Sequence, residues 1–126
     1  MTKTIGILLF DGVEELDAVG PWEVLAAWTQ TWPDDGWRAV TLSSDGATIR
    51  AAKGMVITPD HSFADAPNLD IVLHPGGMGA DLLLGREDHL DWVRAQAASA
   101  DIMTSVCTGS LVYAKVGLLR DLPATT

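Results

Sequence analysis

The chain has 126 residues, 48% of them hydrophobic, which is enough for one domain with a substantial core. Its formal net charge is −9, from 17 acidic and 8 basic residues, and this balance argues against nucleic acid or an anionic membrane as a partner. A single cysteine excludes an internal disulfide, and it predicts, together with the lack of a signal-peptide pattern and of any membrane-length apolar run, a cytoplasmic protein.

Strands and helices are predicted to alternate along the chain. Short apolar runs bounded by turn residues predict strands at residues 4–10, 37–42, 69–73 and 101–106. Gly20-Pro21 predicts the start of a helix, with Val24, Leu25 and Trp28 on its inner face. Further helices are predicted at residues 79–84, 87–99 and 108–116, and a small two-stranded ribbon at residues 47–51 and 55–58. This alternation predicts an α/β domain with a mostly parallel, doubly wound sheet.

The only cysteine, Cys107, lies between the strand that ends at Val106 and the helix that begins at Thr108. A thiol at such a turn is close to the free N–H groups of a helix N-terminus, whose field favours the nucleophilic thiolate. A lone cysteine is often only a buried apolar side chain. The strand-to-helix position of Cys107 instead favours a reactive thiol.

Two other segments are predicted to reach the same edge of the sheet, where parallel α/β proteins bind their ligands. In Pro75-Gly76-Gly77, the glycine N–H groups could face a developing negative charge, or the segment could be an ordinary turn. Asp17, which follows the first strand, could face the thiol and transfer protons, or it could cap a helix. For the neighbouring Glu14 and Glu15, capping and a solvated face are the preferred interpretation.

A set of segments in this chain resembles the ThiJ/PfpI-like superfamily, which has the flavodoxin-like fold of class I glutamine amidotransferases. The segments are Leu16-Asp17-Ala18-Val19-Gly20-Pro21, His74-Pro75-Gly76-Gly77, Thr104-Ser105-Val106-Cys107-Thr108-Gly109-Ser110, Ala114 to Leu119 and Ala124-Thr125-Thr126. The resemblance extends over essentially the whole chain, and order and spacing agree. Aspartate at position 17, together with the segment around Cys107, is most similar to the isonitrile hydratases of this superfamily.

The resemblance implies a cysteine-dependent lyase that adds water to an isonitrile and yields an N-substituted formamide. It implies Cys107 as the catalytic nucleophile, Asp17 as the catalytic acid and base, and Thr108 as a catalytic donor that positions the intermediate. Gly76 and Gly77 would shape the substrate-binding pocket. No metal or other cofactor is expected for this reaction, and a homodimer is expected from the superfamily.

The superfamily pattern continues beyond Ala124-Thr125-Thr126, so we expect residues 1–126 to form a single domain without the C-terminal portion of its relatives. His61, His74 and His89 do not have a metal-ligand spacing. His74 replaces the aliphatic residue expected before Pro-Gly-Gly. It could be a polar group of the site, or it could have only a structural role.

Other functions remain open from the sequence. The chain could be the amidase-like, ligand-sensing domain of a transcription regulator. It could also be a glyoxalase, a protease-like hydrolase or a redox sensor of the same superfamily, because a reactive thiol also serves oxidation chemistry.

Overall fold

A five-stranded parallel sheet forms the centre of the protein in the computed structural model, which describes residues 1–126. The strands, in chain order, are β1 (Lys3–Leu8), β2 (Trp37–Ser43), β3 (Ile49–Arg50), β4 (Val56–Ile57), β5 (His61–Ser62), β6 (Ile71–His74) and β7 (Ile102–Ser105). The helices are α1 (Glu15–Thr31), α2 (Met78–Leu83), α3 (Glu87–Ser99) and α4 (Gly109–Lys115), with a short 3₁₀ turn at Pro33–Asp35.

The order of strands in the sheet is β5-β2-β1-β6-β7, and every neighbouring pair is parallel. In the register, Ile7 of β1 lies between Thr41 of β2 and Leu73 of β6. Strands β3 and β4 form a separate antiparallel ribbon, as predicted. Strand β5 is not predicted from the sequence, because it has only two residues and both are polar.

Helices cover both faces of the sheet, which confirms the predicted doubly wound architecture. On one face, Ile7 and Leu73 pack with Ala18 and Leu25 of α1. On the other face, the neighbouring Leu8 belongs to a cluster that includes Trp92 of α3, and α3 and α4 pack on one another. Burial on both faces explains why the central strands read as continuous apolar runs rather than as alternating ones.

The predicted start of the first helix is wrong, since α1 begins at Glu15 and Pro21 lies inside it. Pro21 has no N–H, so the Asp17 carbonyl lacks its usual hydrogen bond within the helix. The start of α1 has a hydrogen bond to another segment, since the N–H of Glu14 donates to the Gly76 carbonyl at 3.0 Å. Val24 was expected on the inner face and is 68% exposed. The inner face carries Trp22 instead. None of the helices is long and apolar enough to cross a membrane.

Candidate active site around Cys107

Cys107 occupies the turn between β7 and α4, where its φ of 53° lies in the left-handed region. A side chain is disfavoured there by about 1 kcal/mol, so the surrounding contacts must hold the turn. The N–H of Val106 donates to the His74 carbonyl at 3.0 Å, and the hydroxyl of Ser110 donates to the Cys107 carbonyl at 3.3 Å. These bonds fix the turn from both sides and leave Cys107 exposed to solvent.

Helix α4 is also fastened to the sheet behind the turn. The Tyr113 hydroxyl donates to the Thr104 carbonyl of β7 at 2.7 Å, and Tyr113 is buried. The end of β7 and the start of α4 are therefore fixed relative to each other. This determines the position of the thiol in the turn between them.

The Pro75-Gly76-Gly77 segment lies directly against the start of α4. A methyl group at Gly76 would come within 2.5 Å of the Thr108 backbone nitrogen and hydroxyl oxygen. Gly77 has a φ of 113° and donates its N–H to the Thr108 hydroxyl oxygen at 3.0 Å. The glycines therefore permit a backbone approach that no other residue type would allow.

Asp17 approaches the same segment from α1. Its carboxylate oxygen Oδ2 accepts the Gly76 N–H at 3.2 Å, and the residue is only 8% exposed. Glu14 and Glu15 are engaged elsewhere, since Glu14 forms an ion pair with Lys53 and Glu15 accepts the Lys53 backbone N–H. Of the acids in this stretch, Asp17 is the one whose side chain joins the glycine segment.

The structure thus connects four of the predicted site residues by direct contacts, namely Asp17 with Gly76 and Gly77 with Thr108. Cys107 is covalently next to Thr108. Both glycine N–H groups have hydrogen-bond partners. The Gly76 N–H donates to the Asp17 carboxylate, and the Gly77 N–H donates to the Thr108 hydroxyl oxygen. The contacts of these two N–H groups hold Asp17 and Thr108 in place on either side of the segment.

His74 is completely buried below this segment. Its Nδ1 bonds to the Pro75 carbonyl oxygen at 2.7 Å, and its Nε2 lies 2.9 Å from Nε2 of His89. Burial lowers the pKa of each imidazole from 6.5 to about 4, so both are neutral at pH 7. His89 was not recognised as a partner, although its position beside Leu90 in the apolar stripe of α3 is a signal for burial.

A sizeable cavity lies elsewhere, at the carboxyl ends of β1 and β2. Its volume is about 430 Å³, and its lining includes Phe10, Ser43, Arg86 and His89 but not Cys107 or Asp17. A smaller cavity of about 220 Å³ is lined in part by Trp22. Cys107 itself is exposed to solvent. No group of three or more His, Cys, Asp or Glu side chains is placed to hold a metal ion.

The backbone packing at Gly109 leaves no room for a side chain. A methyl group at this position would lie 2.1 Å from the His74 carbonyl oxygen and 2.8 Å from that of Pro75, and both are backbone atoms with little freedom to move. Gly109→Ala should therefore lower the free energy of unfolding by about 2–3 kcal/mol. Urea denaturation measures this loss. Gly85→Ala is the control, because the nearest atom there is at 3.9 Å, and an equal loss in both variants would contradict the prediction.

Together, the fold and the turn define the class of this protein: a parallel α/β domain with an exposed cysteine between a strand and a helix. The chain belongs to the DJ-1/PfpI family, whose sequence model matches residues 3–126. This match confirms the resemblance to the ThiJ/PfpI-like superfamily.

The relatives that this chain resembles include a protein named as an enzyme and one named as a transcriptional regulator. Isonitrile hydratase of Pseudomonas putida is 40% identical over the whole chain and 53% of its own length. The transcriptional regulator GbdR of Pseudomonas aeruginosa is 36% identical over 93% of the chain and 32% of its own length. The crystal structure of a ThiJ/PfpI family protein from Pseudomonas syringae superposes with a TM-score of 0.82 at 25% identity, covering 95% of this chain and 48% of that one. The chain therefore spans about half the length of the hydratase and of the Pseudomonas syringae protein.

Proposed function

We propose that this protein hydrates isonitriles to N-substituted formamides, with Cys107 as the nucleophile. The observation that supports the proposal is the contact between Asp17 and Gly76, because the adjoining Gly77 contacts Thr108, the residue after the exposed Cys107. The 40% identity to an isonitrile hydratase supports the choice of substrate.

In the first step, the thiolate of Cys107 attacks the terminal carbon of the isonitrile, and the proton of Asp17 is transferred to that same carbon. The product of this step is a thioimidate, R–N=CH–S–Cys. The Asp17 carboxylate then takes a proton from water, whose oxygen adds to the carbon, and passes this proton to the nitrogen. Collapse of this adduct returns the hydroxyl proton to Asp17, forms the formamide carbonyl and releases the thiolate. Two easier additions thus replace one difficult one.

The remaining site residues hold these groups in place. The Thr108 hydroxyl oxygen already accepts the Gly77 N–H, so its own hydrogen is available to donate to the intermediate. The Thr108 backbone N–H at the start of α4 can serve the same purpose. Gly76 and Gly77 are expected to shape the substrate-binding side of the site, because a segment without side chains leaves room for the reacting carbon beside the backbone.

The direct test is incubation of the purified protein with a small alkyl isonitrile, with formamide followed by ¹H NMR. We expect catalytic formation of the N-alkyl formamide at neutral pH without added cofactor. Protein with its thiol alkylated beforehand is the control. If the untreated and the alkylated protein give the same amount of formamide, the proposal is wrong.

Asp17→Asn should lower kcat by roughly 10²–10⁴-fold, which is the usual contribution of a positioned acid–base. The asparagine can still accept the Gly76 N–H, so the fold should be retained. Glu14→Gln is the matched control, because the Glu14 side chain bonds to Lys53 and not to the glycine segment. If Asp17→Asn retains the rate of wild type, the carboxyl at position 17 does not transfer the proton.

The match to GbdR favours a ligand-sensing domain as the second candidate function. A sensing domain would bind a small molecule at the same site without converting it. Saturable binding of an alkyl isonitrile with no formamide produced would support this alternative.

We also propose that the protein is a cytoplasmic homodimer. Leu16 and Met78, near the starts of α1 and α2, are large apolar residues that are 74% and 81% exposed. Light scattering should give twice the mass of one 13.4 kDa chain, and a mass equal to one chain would contradict the dimer.

A further inference from the structure

One peptide group lies between the buried histidines and Asp17. Its carbonyl belongs to Pro75 and accepts the His74 Nδ1–H at 2.7 Å. Its N–H belongs to Gly76 and donates to Asp17 Oδ2 at 3.2 Å. Because a peptide group is planar and rigid, the orientation of the carbonyl fixes the direction of the N–H. His74 and Asp17 therefore bind opposite ends of the same rigid group.

The hydrogen-bond partners also determine the tautomer of His74. The Pro75 oxygen can only accept, so Nδ1 of His74 must carry the hydrogen. In the neutral ring Nε2 is then an acceptor, and the Nε2–H of His89 donates to it at 2.9 Å. Both rings are shielded from water, with 0% of His74 and 6% of His89 exposed. His89 thus keeps His74 in the form that can donate to Pro75.

A purely space-filling role does not explain this arrangement. His74 packs against the rings of Phe10 and Tyr113, which an aliphatic side chain would contact as well. A buried imidazole loses its hydration and is stable only when its polar atoms find partners. Here both nitrogens have one, and the partner of Nδ1 is the carbonyl of the very peptide whose N–H reaches Asp17.

We propose that His74 is a positioning residue, which together with His89 orients the Pro75–Gly76 peptide so that its N–H faces the Asp17 carboxylate. The inference rests on the proposed function in one respect, namely that Asp17 is the acid–base group. The hydrogen-bond relay itself can be tested without any substrate.

The test compares two substitutions of His74. His74→Asn places an amide nitrogen near the position of Nδ1 and keeps the donor, whereas His74→Leu removes the donor and keeps the site apolar. In ¹⁵N-labelled wild type, the Gly76 amide resonance should move as Asp17 is titrated, because the two share a hydrogen bond. We expect the same movement in His74→Asn and its loss in His74→Leu.

Turnover adds a second measurement. His74→Leu should lower kcat by roughly 10–10²-fold with little change in KM, since a misplaced acid–base group slows the chemical step rather than binding. His74→Asn should recover most of the rate. If the Gly76 resonance still follows Asp17 in His74→Leu, the positioning role is wrong, whatever the rate. If wild type produces no formamide, the proposed function fails, and the Gly76 titration still decides the role of His74.

His89 provides a second pair of variants in case His74→Leu does not fold. His89→Gln keeps a donor toward His74, and His89→Leu removes it. We expect His89→Leu alone to shift the His74 ring nitrogens away from the Nδ1–H tautomer, as seen in ¹⁵N chemical shifts, and to weaken the response of Gly76. Identical spectra for the two His89 variants would overturn the relay.

Discussion

Replacing Cys107 by alanine should reduce formamide production by roughly 10³-fold or more, because no thioimidate can form without the sulfur. Alanine keeps a β-carbon in the same left-handed turn, so the backbone should not change. Initial rates at saturating isonitrile, compared between wild type and Cys107→Ala, measure the effect.

Two controls make this result specific. Thermal unfolding should give nearly the same midpoint for both proteins, which separates loss of chemistry from loss of fold. Intact-mass spectrometry of wild type mixed with isonitrile should show a transient adduct of the isonitrile mass, absent from Cys107→Ala. Full formamide production by the alanine variant would refute the covalent route, whatever the mass spectra show.

The buried histidine pair should make the protein sensitive to mild acid. His74 and His89 have a pKa of about 4 in the folded state because burial disfavours the charged rings, against 6.5 when they are exposed on unfolding. Below pH 6.5 the unfolded chain therefore binds more protons than the folded one, and stability falls as the pH falls toward 4. Between pH 7 and pH 5 the pair should lower the free energy of unfolding by roughly 2–4 kcal/mol.

Urea denaturation at pH 7, 6 and 5 tests this dependence. His61→Gln, a change at a histidine outside the pair, should retain the full slope. The double variant His74→Leu with His89→Leu should lose most of it, even if it is less stable at pH 7. A free energy of unfolding that does not change between pH 7 and pH 5 in wild type would show that the pair is not buried and neutral.

Much of the fold could be predicted from local sequence because the central strands are short apolar runs closed by turn residues. The run at residues 69–73, followed by Pro75-Gly76-Gly77, indicates both the strand and its end. Cys107 was placed at a strand-to-helix turn for the same reason. Helix α3 matched its predicted bounds, Glu87–Ser99, since its apolar stripe is regular.

The parts that could not be predicted depend on contacts between distant segments. Gly20-Pro21 locally resembles the start of a helix, but α1 begins at Glu15. The residue before this start, Glu14, donates its N–H to the Gly76 carbonyl, a contact with a distant segment. The bond between His74 and His89 joins β6 to α3, and no spacing in the sequence encodes it. The occupied N–H groups of Gly76 and Gly77 likewise depend on partners in other elements.

The backbone at Cys107 has an implication for attempts to engineer this protein. A left-handed φ of 53° suits glycine, and any side chain there is disfavoured by about 1 kcal/mol. Directed evolution for heat tolerance alone should therefore enrich glycine at this position and discard the sulfur. Variant libraries selected for thermal stability therefore also need a screen for the thiol, because stability favours glycine at position 107 and reactivity requires cysteine there.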